Sequence, residues 1–378
     1  NIKIEFSSFA SSYNIKPIDD IVIENSINTS SGSEKIGSVD NDFTNLYTNS
    51  LHVSLPIAKM DGSINLSLIS PFPFAAQFDT GDPYTPEYSL IKARPRRIQG
   101  FINLAYAINN NIAFSLGAHL GAKVESEFST KASVNNDDNL YTYASGAGEV
   151  TPQISPVVSM LYKIHPVFFG LYFQGEMESS LRVDLAAEEI FNGLVFDSIL
   201  DTILYYDPAT FKFQFSWNMN NVCFLNTSIN YYRWKNYQTP KINITQLAAV
   251  TGTYNYETLK IRNTISPRIG LSYYLSDQKM LNIGLAYKQS PLKGNFSGNG
   301  NTIHSDSYIL SMSPTVKFER FGYMLKASLG VAHEILENMR VTKESGQENG
   351  LSGRKIGSPG FDIGGNITTV SIGLEIEI

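Results

Sequence analysis

Five histidines, His52, His119, His165, His304 and His333, are the first residues to weigh for chemistry. A hydrolytic site would need one of them beside a Ser or Asp nucleophile, with a third polar group holding the ring. His165 falls in a short turn and His304 in a long loop. His52, His119 and His333 fall in strand-like runs, with no triad or metal-ligand spacing around them. The single cysteine, Cys223, cannot form an intramolecular disulfide and belongs to no ligand cluster. These spacings predict no catalysis, no metal and no cofactor. The net charge of -6 is evenly spread, and without a basic stripe no nucleic-acid partner is expected.

Two other groups of residues could handle a ligand without reacting with it. Pro71, Phe72, Pro73 and Phe74 sit in an otherwise strand-like run. Proline donates nothing to a β-ladder, so two at alternate positions remove successive donors on one side. In a closed sheet that would leave a gap in the wall lined by Phe72 and Phe74; the plainer reading is a strand that ends at Ser70. The segment Leu185–Asp207 breaks the pattern around it. Ile190, Phe191, Leu194, Val195, Ile199, Leu200, Ile203 and Leu204 recur at helical spacing, and Pro208 closes the run. This predicts a loop helix over 186–206, whose apolar face (Phe191, Leu194, Val195, Ile199, Leu200, Ile203) either forms a ligand groove or packs on a neighbouring loop.

The elements that must position these residues are strands. The chain has 378 residues, 42% hydrophobic and only 17% charged, well below a usual soluble surface. No stretch approaches the ~18 to 20 consecutive apolar residues of a spanning helix. Only a closed β-barrel would then satisfy every backbone group in lipid. Alternation with period two is the dominant signal. In 111–125, Ile112, Phe114, Leu116, Ala118, Leu120, Ala122 and Val124 oppose Ser115, Gly117, His119, Gly121, Lys123 and Glu125. The same holds at Phe211, Phe213, Phe215, Trp217 and Met219, and at Val370, Ile372, Leu374, Ile376 and Ile378. One apolar and one polar face along a strand of this length fit lipid outside and water inside. Glu176, Glu178, Arg182, Glu375 and Glu377 then line a polar lumen.

About fourteen such segments can be counted, and the connections between them alternate between short and long. The short ones fall at 59–62, 109–110, 163–165, 220, 276–278 and 319–321; the long ones at 14–42, 79–96, 126–150, 184–210, 237–257, 291–305 and 338–360. Short periplasmic turns and long external loops are the outer-membrane arrangement, which puts both termini on the periplasmic side. The fold class expected is all-β: one transmembrane antiparallel barrel domain over 1–378. Because the chain starts at Asn1, not Met, a removed signal peptide would leave no trace.

Several segments resemble the long-chain fatty-acid transporter (FadL-like) family of outer-membrane barrels. Gly100–Gly121 (GFINLAYAINNNIAFSLGAHLG) resembles its strand–turn–strand unit, and Ile229–Tyr237 (INYYRWKNY) its aromatic strand. Ile283–Pro291 (IGLAYKQSP) resembles its Gly-Tyr-Ser-Pro segment and Ser70–Phe78 (SPFPFAAQF) its Pro-Phe segment, in family order. The resemblance implies a monomeric fourteen-stranded barrel passing hydrophobic molecules inward, with an N-terminal hatch and a side exit at a kinked third strand. Two departures stand out. The chain begins directly in the first strand, so the hatch is expected to be absent, and it ends in Ile378 where an aromatic is common.

Three functions are compatible with this reading. The first is a passive outer-membrane transporter for hydrophobic small molecules, fatty-acid-like or aromatic, in contact with membrane lipid and lipopolysaccharide. The second is a structural or adaptor barrel that docks a protein partner in an envelope or secretion assembly. The third is a general porin for polar solutes.

Overall fold

The computed structural model describes residues 2–17, 21–25, 34–36, 45–58, 60–72, 97–134, 140–187, 196–237, 241–247, 260–293, 296–297, 304–342, 354–356 and 360–378. Among them, fourteen strands close on themselves. In chain order these are β1 (Lys3–Pro17), β2 (Asn45–Pro56), β3 (Gly62–Phe72), β4 (Gln99–Ala107), β5 (Ile112–Val134), β6 (Leu140–Ile164) and β7 (Val167–Gln174). The second half comprises β8 (Ala209–Asn218), β9 (Cys223–Arg233), β10 (Thr264–Ser276), β11 (Lys279–Lys288), β12 (Ser307–Arg320), β13 (Tyr323–Thr342) and β14 (Gly360–Glu377). Every neighbouring pair is antiparallel. β14 returns to β1 in unbroken register from Lys3↔Glu377 to Pro17↔Ile363, which closes the sheet into a barrel.

Side-chain parity separates two environments. Leu116, Ile154 and Ile372, each over 60% exposed, stand on the outer wall with Phe114, Phe211, Leu310 and Leu374. A continuous apolar exterior of this kind is unfavourable in water and ordinary in lipid. The inner wall is small and polar. His52 Nδ1 and Ser67 Oγ are 2.7 Å apart, as are Ser115 and Ser159. Ser216 donates to Asn226 Oδ1 (2.7 Å), and Asn226 donates on to Ser272 Oγ (3.2 Å). The Lys326–Glu375 (2.9 Å) and Lys288–Glu334 (3.1 Å) ion pairs neutralise charge there.

The six short turns carry local chemistry that ends the strands. Asn109 Oδ1 accepts from the backbone N–H groups of Asn111 and Ile112, both at 2.9 Å, closing the β4–β5 turn. Asn218 and Asn220 do the same between β8 and β9, where Asn221 takes φ 60°. Phe321 and Gly322 both have positive φ between β12 and β13, as a two-residue hairpin of matching twist requires.

Close strand packing inside the barrel depends on glycine at one position above others. A Cβ on Gly117 would run into Asn103 Oδ1 and the Ile102 carbonyl of β4. The amide can swing away; the backbone carbonyl cannot. Gly117→Val should therefore cost about 1–3 kcal/mol through forced separation of β4 from β5. A urea titration in lipid should show a lower unfolding midpoint, and an unchanged midpoint would refute the packing argument.

Two expectations are corrected. The region 126–150, expected as a long loop, is a β-ribbon: β5 and β6 stay paired from Ile112↔Tyr162 to Val134↔Leu140. A ribbon beyond the membrane has water on its faces, so it needs no apolar alternation to mark it. The helix expected over 186–206 is also absent where the chain is described, because Phe196–Asp207 is a strand. It pairs with Met177–Ala187 on one side and Lys241–Leu247 on the other. The spacing suits a helix face, but β-branched Ile199, Thr202 and Ile203 favour a strand, and pairing along both edges fixes it.

Candidate functional site

The wall steps down in two places among the described residues, above β4 and above the eight-residue β7. β4 is only nine residues long. Its pairing to β3 stops at Ile69↔Gln99, and its pairing to β5 at Gly100↔Leu120. β3 continues to Phe72 paired only with β2, and β5 continues to Val134 paired with β6. Among the described residues, therefore, a window opens above β4, with β3 on one side and the free edge of β5 on the other. Buried Pro71 stands on its β3 side.

An inward-turning hairpin frames the window from within. β7 ends at Gln174, where Gly175 donates its N–H to the Pro156 carbonyl at 2.8 Å. A Cβ at Gly175 would lie 2.6 Å from Ser155 Oγ and 2.8 Å from Pro156 Cδ, so only glycine lets the chain pass this close beneath β6. Met177, fully buried, then lies against Gly121 on the lumen face of β5. Tyr205, near the end of the returning strand, donates its hydroxyl to the Ala122 carbonyl and reaches Gln153 Oε1 at 3.2 Å. Further out, Asp184 and Leu185 pair in parallel with Ser129 and Thr130 of β5. The other edge of β5 is occupied by β6 there, so this pairing uses the edge that faces the window. The hairpin thus crosses the inner faces of β6 and β5 and bounds the window from above.

One ion pair ties the hairpin to the window's sill. Arg97, two residues before β4 and only 5% exposed, bonds Asp207 through Nη2. Its guanidinium also lies 3.6 Å from the centre of the Tyr205 ring. Arg97 Nε and Nη1 find no other acceptor among the described residues. Beside this pair, His119 is fully buried, stacked on Phe101 at 4.3 Å, with its Nδ1 3.1 Å from Gln174 Nε2. Tyr206 anchors the hairpin on its other side, packing on Trp234 (5.7 Å) and Tyr237 (5.5 Å). Burial, reinforced by Glu176 and Glu178 nearby, pushes its phenol well above the ordinary value, so it stays a neutral donor to the Arg233 carbonyl.

Behind the window lies a chamber of about 380 Å³. It is lined by Gln99 and Phe101 of β4, Tyr172 of β7, Pro208, Lys212 of β8, Asn230 and Tyr232 of β9, and Arg268 of β10. This is an amphipathic cavity of a size that holds a small organic molecule.

Of the residues singled out from the sequence, Pro71 and Phe72 lie at the end of β3, beside the window, while Pro73 and Phe74 lie outside the described residues. Ile199, Leu200 and Ile203 fall on the hairpin's second strand, and Phe191, Leu194 and Val195 lie outside the described residues. The sequence reading did not single out Arg97, Asp207, Tyr205, Lys212 or Arg268. The only local signal was Asp207-Pro208, a dipeptide that ends regular structure. His52 contacts Ser67, but no carboxylate holds its ring among the described residues, and no metal-binding group of three ligands occurs among them.

The fold and the apolar belt define a class: a fourteen-stranded outer-membrane β-barrel with an internal hairpin. No family model matches this chain, and no curated protein matches it in sequence. Solved structures do match in shape. A Pseudomonas aeruginosa FadL homologue superposes with a TM-score of 0.62 at 12% identity, over 99% of this chain and 90% of that one. The P. putida toluene transporter TodX gives 0.53 at 9% identity, over 100% and 90%. The chain shares the FadL-type fold.

Proposed function

We propose that this barrel is a passive outer-membrane channel for hydrophobic small molecules, which enter the chamber at the external mouth and leave sideways through the window. The observation that carries this is the contrast between the two ways out. Below the chamber the lumen is lined by Ser, Asn and Gly, which offers an apolar solute nothing. Above β4 the described wall is interrupted beside Gln99 and Phe101, which also line the chamber. The neighbours named above include a toluene transporter, which supports transport of a hydrophobic molecule.

Pro71 is expected to matter because, near the end of β3, it brings no backbone donor to the rim of the window. Pro71→Val would return that donor and let the ladder extend. Uptake of toluene into vesicles holding this variant should fall about tenfold if the window is the exit, with the barrel still folded. Unchanged uptake would overturn the sideways route. A second reading, a porin for polar solutes, is favoured by the hydroxyl-lined lumen. Vesicle swelling in arabinose separates the two, since only the porin admits the sugar.

A further inference from the structure

Along the chain the net charge is mild, but the fold sorts it around the external rim. The connections after β9 and β11, residues 234–263 and 289–306, hold five cations, Lys235, Lys241, Lys260, Arg262 and Lys293, against two acids, Glu257 and Asp306. The connection after β1, residues 18–44, holds six acids against Lys35 alone. The outer wall shows where β9 and β12 leave the hydrocarbon. Tyr231 and Tyr308, 36% and 55% exposed, share the lipid side with Ile229 and Leu310 and form the upper aromatic girdle there. Arg233 follows Tyr231 on the same face of β9 and is exposed. Hydrogen bonds gather further cations behind it. Lys235 donates its backbone N–H to Asn263 Oδ1 (3.1 Å), and Asn263 donates to the Tyr231 hydroxyl (2.6 Å). Three residues, at most about 11 Å of chain, separate Asn263 from Lys260. Lys293 donates its N–H to the Lys260 carbonyl at 2.9 Å. Arg262 and Asp306 satisfy each other at 3.2 Å. Glu176 and Glu178 lie on the hairpin side against Tyr206, and Glu176 accepts from Asn236 Nδ2 at 2.9 Å. Arg233, Lys235, Lys260 and Lys293 are left exposed, with no ion-pair partner among the described residues.

We propose that Arg233, Lys235, Lys260 and Lys293 form a docking surface for the phosphorylated headgroup of lipopolysaccharide, the glycolipid of the outer leaflet. Its acyl chains lie on the apolar wall below, against Ile229, Ile265 and Leu310. Charge complementarity identifies the occupant. Cations held one step above an aromatic girdle stand at the level of lipid phosphates, where each gains a charge-assisted hydrogen bond. Facing water alone, four like charges brought together only repel one another. A headgroup with two phosphates answers several of them at once. A zwitterionic phospholipid carries its own cation, and a lipid with one phosphate answers fewer. The surface lies outside the lumen and does not depend on what the channel passes.

The test is native mass spectrometry of the full chain in detergent. It is titrated with diphosphoryl lipid A, with the same glycolipid stripped of both phosphates, and with phosphatidylglycerol. Diphosphoryl lipid A should bind at least about tenfold tighter than its phosphate-free form. The combined variant Arg233→Gln, Lys235→Gln, Lys260→Gln and Lys293→Gln should lose that preference and bind the phosphate-free glycolipid as before. Arg233→Lys with Lys235→Arg, Lys260→Arg and Lys293→Arg should keep it. So should Lys163→Gln with Lys279→Gln, beside the short turns of the opposite rim. Equal binding of the two glycolipids by the native chain, or a preference that survives the four Gln substitutions, would overturn the surface. Phosphatidylglycerol binding as tightly as diphosphoryl lipid A, through the same four cations, would overturn lipopolysaccharide as the occupant.

Discussion

Asp207→Ala should release the inner hairpin. The Arg97 and Asp207 side chains are 6% and 14% exposed, so removal of the carboxylate strands a guanidinium in a site with little water. Breaking such a pair from one side costs about 3–5 kcal/mol, because the remaining charge keeps its desolvation penalty. His119 and Tyr205 cannot accept the charge. Arg97 would be expected to swing out and take the base of the hairpin with it, while the fourteen-stranded wall stays paired. Trypsin reports this directly. Arg182 is the only lysine or arginine between Met177 and Asp207. Cleavage there should be at least tenfold faster in Asp207→Ala than in the native chain if release costs the hairpin several kcal/mol. The pair Arg97→Met with Asp207→Leu should return to slow cleavage, since matched apolar residues fill the site without an orphaned charge. Equal cleavage of the single variant and the native chain would show that the ion pair does not hold the hairpin.

Excising the hairpin should open the barrel to polar solutes. β7 and β8 are already hydrogen-bonded at Gln174↔Thr210, immediately inside the points where the hairpin departs. Residues 177–206 can therefore be replaced by an Asn-Gly turn without disturbing wall pairing. Arg97→Met accompanies the deletion where Asp207 can no longer reach it. What remains in the upper lumen is the hydroxyl- and amide-lined wall, with water free to fill it. Single-channel conductance in planar bilayers should rise by about an order of magnitude, and vesicles should swell in arabinose. The window is bounded above by the pairing of Asp184 and Leu185 with β5, so the same deletion should weaken selectivity for apolar solutes. Conductance unchanged by the deletion would mean that the hairpin does not obstruct the path and that some other part of the chain does.

The barrel itself was legible in the sequence because each strand carries its own instruction. Phe114, Leu116, Ala118 and Leu120 point out while Ser115, Gly117 and His119 point in, and a slip of one residue would put hydroxyls in lipid. Turn chemistry is equally local: Asn109 holds the backbone two and three residues on, as its position between two strands suggests. Alternation of short and long connections then sets the direction of every strand. What lay inside the mouth was not legible. Ile199, Leu200, Ile203 and Leu204 have a spacing that a helix and a strand with neighbours on both sides can each satisfy, and tertiary pairing with Met177–Ala187 and Lys241–Leu247 decided between them. Arg97 and Asp207 are 110 residues apart, and Lys212 and Arg268 lie on strands separated by a third. Charge pairing and cavity lining depend on register across the barrel, which no local period encodes. Local pattern set a closed, lipid-facing wall of known strand number; register across the barrel decided the path of the inner hairpin and which charges meet inside.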